Sequence, residues 1–275
     1  MIGAVLGLSA AALIGLSDLF GRRITPRSSP ITTALTLQLF AALAVLGTLV
    51  LWPGQIRGSA IVLGVISGLG FATGLCCYYL GLNRASSAVV APVAAVFSVL
   101  IPFFWALTRR LDVSMLSSMG VFIALVGLML AAKEAFGGRS IVVGLKWGLL
   151  SGVGYGVGQA VLLDVDSLAG PIAIAGQRVA AYFVMVPLAL MAGAQTFPPS
   201  GTRAKGVLAG VCAGAASVAL FQGLRFDPLA TVTAVAIFPI FTVAVGSAVY
   251  RDVVTKWQCV GILFAVVGTI AVVAG

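Results

Sequence analysis

Ten apolar segments, each about 20 residues long, follow one another along this chain with only short connectors between them. An α-helix of about 20 apolar residues is long enough to cross the hydrocarbon core of a bilayer. The sequence therefore predicts an all-α membrane protein with ten transmembrane helices. The segments cover residues 2–20, 32–52, 60–81, 87–108, 115–133, 142–162, 170–192, 204–223, 229–249 and 255–274.

Composition supports lipid as the main solvent. Hydrophobic residues make up 61% of the 275 and charged residues only 8%, whereas a soluble chain carries about a quarter charged residues. The net charge of +9 comes from lysines and arginines that stand singly or in pairs between apolar runs. Such residues anchor loops that face anionic lipid and the cytoplasm, so we expect a lipid bilayer as partner and no nucleic acid.

The second half of the sequence resembles the first. "GAVLGLSAAALIG" from Gly3 resembles "GLKWGLLSGVGYG" from Gly144, and Met119–Ala132 resembles Val260–Val273. The offset stays at about 140 throughout, which indicates one duplication over nearly the whole chain. Because the segment at Gly144 has a counterpart at the N-terminus, we expect the N-terminal segment to be the first helix and not a cleaved leader.

The duplication predicts two units, 1–135 and 142–275, of five helices each. Because five is odd, the second unit must lie upside down in the membrane relative to the first. Inverted repeats are the usual architecture of secondary transporters, with a central binding site. We expect the third and fourth helices of each unit to face that cavity, the fifth to lie outside, and kinks at Pro92, Pro102 and Pro239.

The two units carry related features in the same order. Their first helices hold Ile-Gly at 14–15 and Tyr-Gly at 155–156. Their second helices hold a polar residue at matching places, Gln38 in the first unit and Arg178 in the second.

The fourth helix of each unit carries proline and is followed by an acid. Pro239 and Asp252 fit this pattern in the second unit, and Pro92, Pro102 and Asp112 fit it in the first. In this order the features resemble the EamA family of the drug/metabolite transporter superfamily, over essentially the whole chain. The usual Trp-Gly pair of that family is missing from both first helices, and its basic residue is missing from the second helix of the first unit.

The resemblance implies a carrier of small metabolites, often an exporter of amino acids or of toxic compounds. We expect transport of amino acids, aromatic ones included, across the inner membrane of a bacterium by a monomer. Export of drugs or other toxic small compounds is the alternative. No nucleotide-binding motif is present and histidine is absent, so we expect no cofactor, no metal site and transport driven by gradients.

A set of polar and aromatic residues lies in the inner parts of the apolar segments. Arginine binds carboxylates, tyrosine and tryptophan offer ring surface with a hydrogen-bonding tip, and amides donate and accept. Such a lining suits a small zwitterion with an apolar or aromatic side chain. The predicted substrate-binding residues are Gln38, Tyr78, Tyr79, Ser98, Trp105, Tyr155, Gln159, Gln177, Arg178, Tyr182, Gln222, Thr231 and Thr233.

The positions of the acids bear on two other functions. An enzyme would need paired carboxylates or a nucleophile with its base, and the one close acidic pair, Asp164 and Asp166, is interpreted as a solvated turn. A proton-coupled exporter of cations would need an acid deep in a helix. Asp18 is nearest to that, but Arg22 follows at helical spacing, which favours a surface ion pair. We therefore expect transport without a strongly coupled proton.

Arg178 lies near the middle of its segment, where an arginine costs about 2.5–3.5 kcal/mol on insertion scales. Two kinds of partner could compensate that cost. One is the carboxylate of a substrate; the other is a set of backbone carbonyls or Gln38, which would join helices two and seven. Both interpretations remain open at this stage.

The distribution of basic residues predicts the orientation. Counted together with the adjoining helix ends, odd-numbered connectors hold eleven lysines and arginines and even-numbered ones hold four. The positive-inside rule places the odd connectors in the cytoplasm and both termini outside.

Overall fold

The computed structural model describes residues 1–52, 54–85, 87–109, 113–131, 141–250 and 255–274. Three of the seven acids, Asp112, Glu134 and Asp252, lie outside these residues.

All the longer regular elements in these ranges are α-helices. They are α1 (Ile2–Ile24), α2 (Pro30–Leu51), α3 (Gly58–Arg84), α4 (Ser87–Thr108), α5 (Met115–Ala131), α6 (Ile141–Leu162), α7 (Ile172–Met191), α8 (Arg203–Phe226), α9 (Pro228–Ala236), α10 (Phe238–Tyr250) and α11 (Lys256–Ala274). Short 3₁₀ turns lie at Thr25–Arg27, Ser167–Ala169 and Ser200–Thr202.

Six helices of the described part of the chain are long and apolar enough to cross a membrane: α1, α2, α3, α4, α7 and α8. Large apolar side chains such as Leu43, Val62 and Phe183 are more than half exposed on them. In water such surface would be unfavourable, whereas in a bilayer it contacts acyl chains. The protein is thus an all-α membrane protein.

The ninth apolar segment is interrupted at Ile237, close to the kink that was predicted at Pro239. Helix α9 ends at Ala236 and α10 begins at Phe238. Proline at position 239 has no N–H to continue the helical bonding, and the chain instead makes a tight turn in which the Ile240 N–H donates to the carbonyl of Ile237 at 2.9 Å. By contrast, α4 passes through Pro92 and Pro102 as one helix.

The closest helix pairs join the first five helices to the last six. Helix α1 packs against α8, α9 and α10, and α6 packs against α3 and α4. Helix α2 packs against α7 and α8, α3 also packs against α7, and α5 packs against α11. Glycines allow these close approaches: a β-carbon at Gly127 of α5 would stand 2.6 Å from the carbonyl oxygen of Gly261 in α11.

Candidate substrate site

A cavity of about 120 Å³ lies where α1, α2, α3, α4, α6, α7, α8, α9 and α10 converge. One water fills about 10–15 Å³ on this measure, so the cavity has room for several waters or for a small metabolite. Its polar residues are Ser17, Asp18, Gln38, Tyr78, Tyr79, Ser98, Tyr155, Gln159, Arg178 and Ser217. Its apolar residues are Ile14, Leu37, Phe71, Leu75, Ala94, Ala213, Ala216, Leu220, Val235 and Phe238.

Arg178 lines this cavity and is bonded to two neighbouring helices. Its Nη1 donates to Gln38 Oε1 of α2 at 2.8 Å, and its Nε donates to Ser217 Oγ of α8 at 2.8 Å. Its Nη2 donates to the same hydroxyl and, at 3.3 Å, to the carbonyl oxygen of Ala213. The guanidinium also lies over Phe71, 5.5 Å from the ring centre. These contacts match the structural partners considered from the sequence, a backbone carbonyl and Gln38.

Two buried amides of the lining each have a polar atom without a partner among the described residues. They are Gln38 Nε2 and Gln159 Oε1, on side chains that are 1% and 6% exposed. A buried polar atom without a hydrogen bond costs about 1–3 kcal/mol. These atoms therefore form the part of the lining best suited to hydrogen-bond a bound molecule.

Asp18 also lines the cavity, and the prediction that it lies at the surface was wrong. The carboxylate is half-buried and accepts a hydrogen bond from the Thr242 hydroxyl of α10 at 3.1 Å. Arg22, about one helical turn further along α1, acts on this carboxylate by charge. The packing of α1 against α10 directs this acid inward.

Aromatic side chains form much of the cavity wall. Phe71 and Tyr155 contact each other edge to face, with ring centres 5.4 Å apart, beside Arg178. Tyr78 and Tyr79 contact each other in the same manner at 5.8 Å, near the end of α3. Each pair offers both ring surface and a hydroxyl.

Seven of the thirteen predicted site residues line the cavity: Gln38, Tyr78, Tyr79, Ser98, Tyr155, Gln159 and Arg178. The other six are absent from the lining: Trp105, Gln177, Tyr182, Gln222, Thr231 and Thr233.

Local packing explains where several of these six residues lie. Gln177 is adjacent to Arg178 and so points to another face of α7, where its Nε2 donates to Ser67 Oγ at 2.7 Å. Trp105 Nε1 contacts Asp164 at 3.4 Å, near the end of α4. The Thr231 hydroxyl donates to the carbonyl of Asp227 at 2.6 Å.

The remaining three lie against other parts of the bundle. Tyr182 contacts Phe183 edge to face, Gln222 Oε1 accepts a weak bond from Arg225, and Thr233 Oγ1 is buried without a partner in the described residues.

Asp18, Ser17, Ser217 and Phe71 are lining residues that sequence reasoning missed. An acid within an apolar segment was the available signal for Asp18, and the nearby Arg22 outweighed it. Ser17 and Ser217 gave no signal, because serine is common in helices that pack closely in lipid.

The acidic pair of "LDVD" contributes to contacts between connectors. Asp164 pairs with Arg109 at 2.6 Å, and Asp166 pairs with Arg57. The Gln55 N–H donates to the carbonyl of Leu168 at 2.9 Å. The connector after α2 is thus bound to the connector after α6, and we name these contacts the connector clasp.

Comparison with protein-family models finds no match, and no curated protein matches the sequence. Among solved structures, a crystal structure described only as that of a protein is similar over 98% of this chain and 95% of its own. The TM-score is 0.79 at 16% sequence identity. At this level of sequence identity, the likeness shows a shared overall fold.

Proposed function

We propose that this chain is a secondary transporter of the EamA type, with two inverted five-helix repeats at 1–135 and 142–275. In this proposal α9 and α10 together form one crossing, which gives ten crossings in total. Helix contacts support it. The two repeats can be exchanged on paper, so that α1, α2, α3, α4 and α5 trade places with α6, α7, α8, the α9–α10 unit and α11. Under this exchange the α1–α8 contact becomes the α6–α3 contact. The same exchange converts α2–α8 into α7–α3 and leaves α5–α11 unchanged.

The proposed substrates are small amino acids, aromatic ones included, exported or facilitated across a bacterial inner membrane by a monomer. The observation that carries this proposal is a cavity with charged, amide and hydroxyl side chains in its lining, within a bundle whose outer surface is apolar. Polar and ionisable groups at membrane depth are expensive and commonly mark a substrate pathway. A guanidinium, a carboxylate, two partly unpartnered amides and aromatic rings together suit a small zwitterion.

Asp18 favours a second candidate, export of cationic toxic compounds. A carboxylate beside aromatic rings is a suitable environment for an organic cation. The expectation of transport without a coupled proton depended on the absence of an acid from the interior. Because Asp18 lines the cavity, that expectation no longer holds.

Purified protein in liposomes distinguishes these functions. The liposomes are challenged with labelled amino acids, sugars, nucleosides and cationic dyes, with protein-free liposomes as the blank. We expect saturable uptake of amino acids. Uptake of dyes alone would support drug export in place of amino acid transport. Strict dependence of uptake on a pH gradient would contradict facilitated flow.

A matched pair of variants connects that transport to the cavity. Gln159 and Gln222 each have a buried amide atom without a partner in the described residues, but only Gln159 lines the cavity. We expect Gln159→Leu to reduce uptake and Gln222→Leu to leave it near the level of the unmodified protein. Equal effects of the two changes would count against this cavity as the transport site.

A further inference from the structure

The cavity has two chemically different ends, and their positions follow from the helices that carry them. The connector after α2 is bound to the connector after α6, so α7 begins at the end of the bundle where α2 ends. Arg178 lies in the first third of α7, near that end. Helix α1 is joined to the opposite end of α2 through Thr25–Arg27. Asp18, in the last third of α1, therefore lies nearer the other end.

Gln38 lies between these two levels, eight residues after the start of α2 and thirteen before its end, and the guanidinium determines how its amide is oriented. Arginine has only donors, so the amide oxygen of Gln38 must face Arg178, as their 2.8 Å contact shows. The amide nitrogen is then left with its N–H groups, buried and without a partner in the described chain. Because the bond from the cation polarises the amide, the surroundings of Gln38 Nε2 are suited to an anionic oxygen.

Nearer the second end, Asp18 lines the cavity with its carboxylate. An ionised carboxylate accepts about four hydrogen bonds; Thr242 supplies one, and Arg22 acts on the carboxylate by charge. Tyr78 and Tyr79 line the cavity with Asp18. The Tyr79 hydroxyl lies beside Gly21, one helical turn beyond Asp18. A carboxylate beside phenol rings attracts an ammonium group both by charge and by the faces of the rings.

We propose that Asp18 binds the primary ammonium group of the substrate, while Gln38 Nε2, with Arg178 behind it, receives the carboxylate. This inference rests on the proposed function and adds to it a fixed orientation of the substrate. It assigns Asp18 as a specificity-determining residue, because an acylated amine could no longer donate to it as a cation.

The test measures binding to the purified full-length protein by titration calorimetry. All twenty amino acids are screened first. The decarboxylated amine of each amino acid is screened in the same way, and each amino acid that binds is compared with its N-acetyl derivative, which lacks the ammonium group. We expect the unmodified protein to bind the N-acetyl form about 10- to 150-fold more weakly than the amino acid, as the loss of a charge-assisted hydrogen bond requires.

Asp18→Asn supplies the second measurement, since asparagine keeps an oxygen that can accept from Thr242. We expect it to weaken binding of the amino acid and of the amine about 10- to 150-fold, and that of the N-acetyl form less than about threefold. Asp18→Glu should regain part of the lost affinity. Thr242→Val is the matched control, because it removes the hydrogen bond and keeps the charge, and it should change affinity less than Asp18→Asn does.

The outcomes separate this inference from the proposed function. If amino acids bind and neither acetylation nor Asp18→Asn weakens them, the role of Asp18 is overturned while amino acid transport stands. If only the amines bind, and Asp18→Asn abolishes that binding, the ammonium site is supported and amino acid transport is not. If neither class binds, both are overturned. The comparison of ligands on the unmodified protein keeps the test decisive even if a variant fails to fold.

Discussion

Arg178 joins three helices through one side chain. It lies on α7, its Nη1 bonds to Gln38 on α2, and its Nε and Nη2 bond to Ser217 and to the Ala213 carbonyl on α8. A hydrogen bond to a charged group contributes about 1.5–3 kcal/mol. Such a set compensates for the cost of placing an arginine at membrane depth, and we assign Arg178 a mainly structural role that also positions Gln38.

Arg178→Gln should therefore destabilise the protein. The change removes the fork that binds two helices at once and leaves Gln38 Oε1 buried without its donor, so we expect a loss of about 1–3 kcal/mol of unfolding free energy. Thermal denaturation in detergent measures it. Arg225→Gln, near the end of α8, is the matched control and should be nearly neutral. Unchanged stability with abolished ligand binding would instead make Arg178 a ligand of the substrate alone.

Between helices, the connector clasp joins the connectors after α2, α4 and α6 at one end of the bundle. It unites the Arg57–Asp166 pair, the Arg109–Asp164 pair and the bond from Gln55 to Leu168. Gly54 has a φ of +60°, and a β-carbon there would stand 2.7 Å from the α-carbon of Gly170. Glycine alone suits both the backbone conformation and the approach. Exposed ion pairs contribute little each, so this clasp is a contact that can open.

A disulfide across the clasp tests whether it must open during transport. Gln55→Cys and Leu168→Cys are combined after the four native cysteines, none of which is paired, have been replaced by alanine. The backbone bond between these residues brings them close enough for a disulfide. We expect oxidation to stop uptake and a reductant to restore it. Each single cysteine should be insensitive to oxidation, and full uptake by the cross-linked protein would contradict an opening at this end.

Helices α5 and α11 contribute no residue to the cavity lining, so a change between them should affect stability and not binding. A β-carbon at Gly127 would collide with backbone atoms of α11. We expect Gly127→Ala to cost about 1–3 kcal/mol, as overpacking does. Gly47→Ala is the control, because nothing lies within 4 Å of its β-carbon position. Thermal denaturation compares the two, and equal stabilities would show that the α5–α11 contact tolerates more bulk than its geometry indicates.

For the whole molecule, the distribution of basic residues predicts both termini outside the cytoplasm. With the adjoining helix ends included, odd-numbered connectors hold eleven lysines and arginines and even-numbered ones four, and retention of positive loops in the cytoplasm fixes the orientation. Alkaline phosphatase fused to the C-terminus should be active, and a green fluorescent protein fused there should stay dark. A fluorescent C-terminal fusion would reverse the predicted orientation.

Sequence periodicity predicted the helical membrane fold, because apolar segments of bilayer length have few other solutions. The contact between Gln38 and Arg178 was also foreseeable, since the two residues are 140 positions apart, the offset that relates the two halves of the sequence. Asp18 was not, because its inward direction depends on Thr242, which lies 224 residues away in sequence. A proline at 239 indicates a disturbed helix, but the packing around it decides between a kink and a break.

The break at Ile237 gives the cavity wall an electrostatic character that no side chain supplies. Val235 and Phe238, on either side of the break, both line the cavity. A continuous helix has no net partial charge at its middle, whereas a helix terminus carries about half an elementary charge. Here the negative terminus of α9 and the positive terminus of α10 meet beside the site. Because these opposite partial charges are only one residue apart, they form a short dipole that acts on the nearest cavity groups and falls off quickly with distance, and its peptide groups do not titrate with pH.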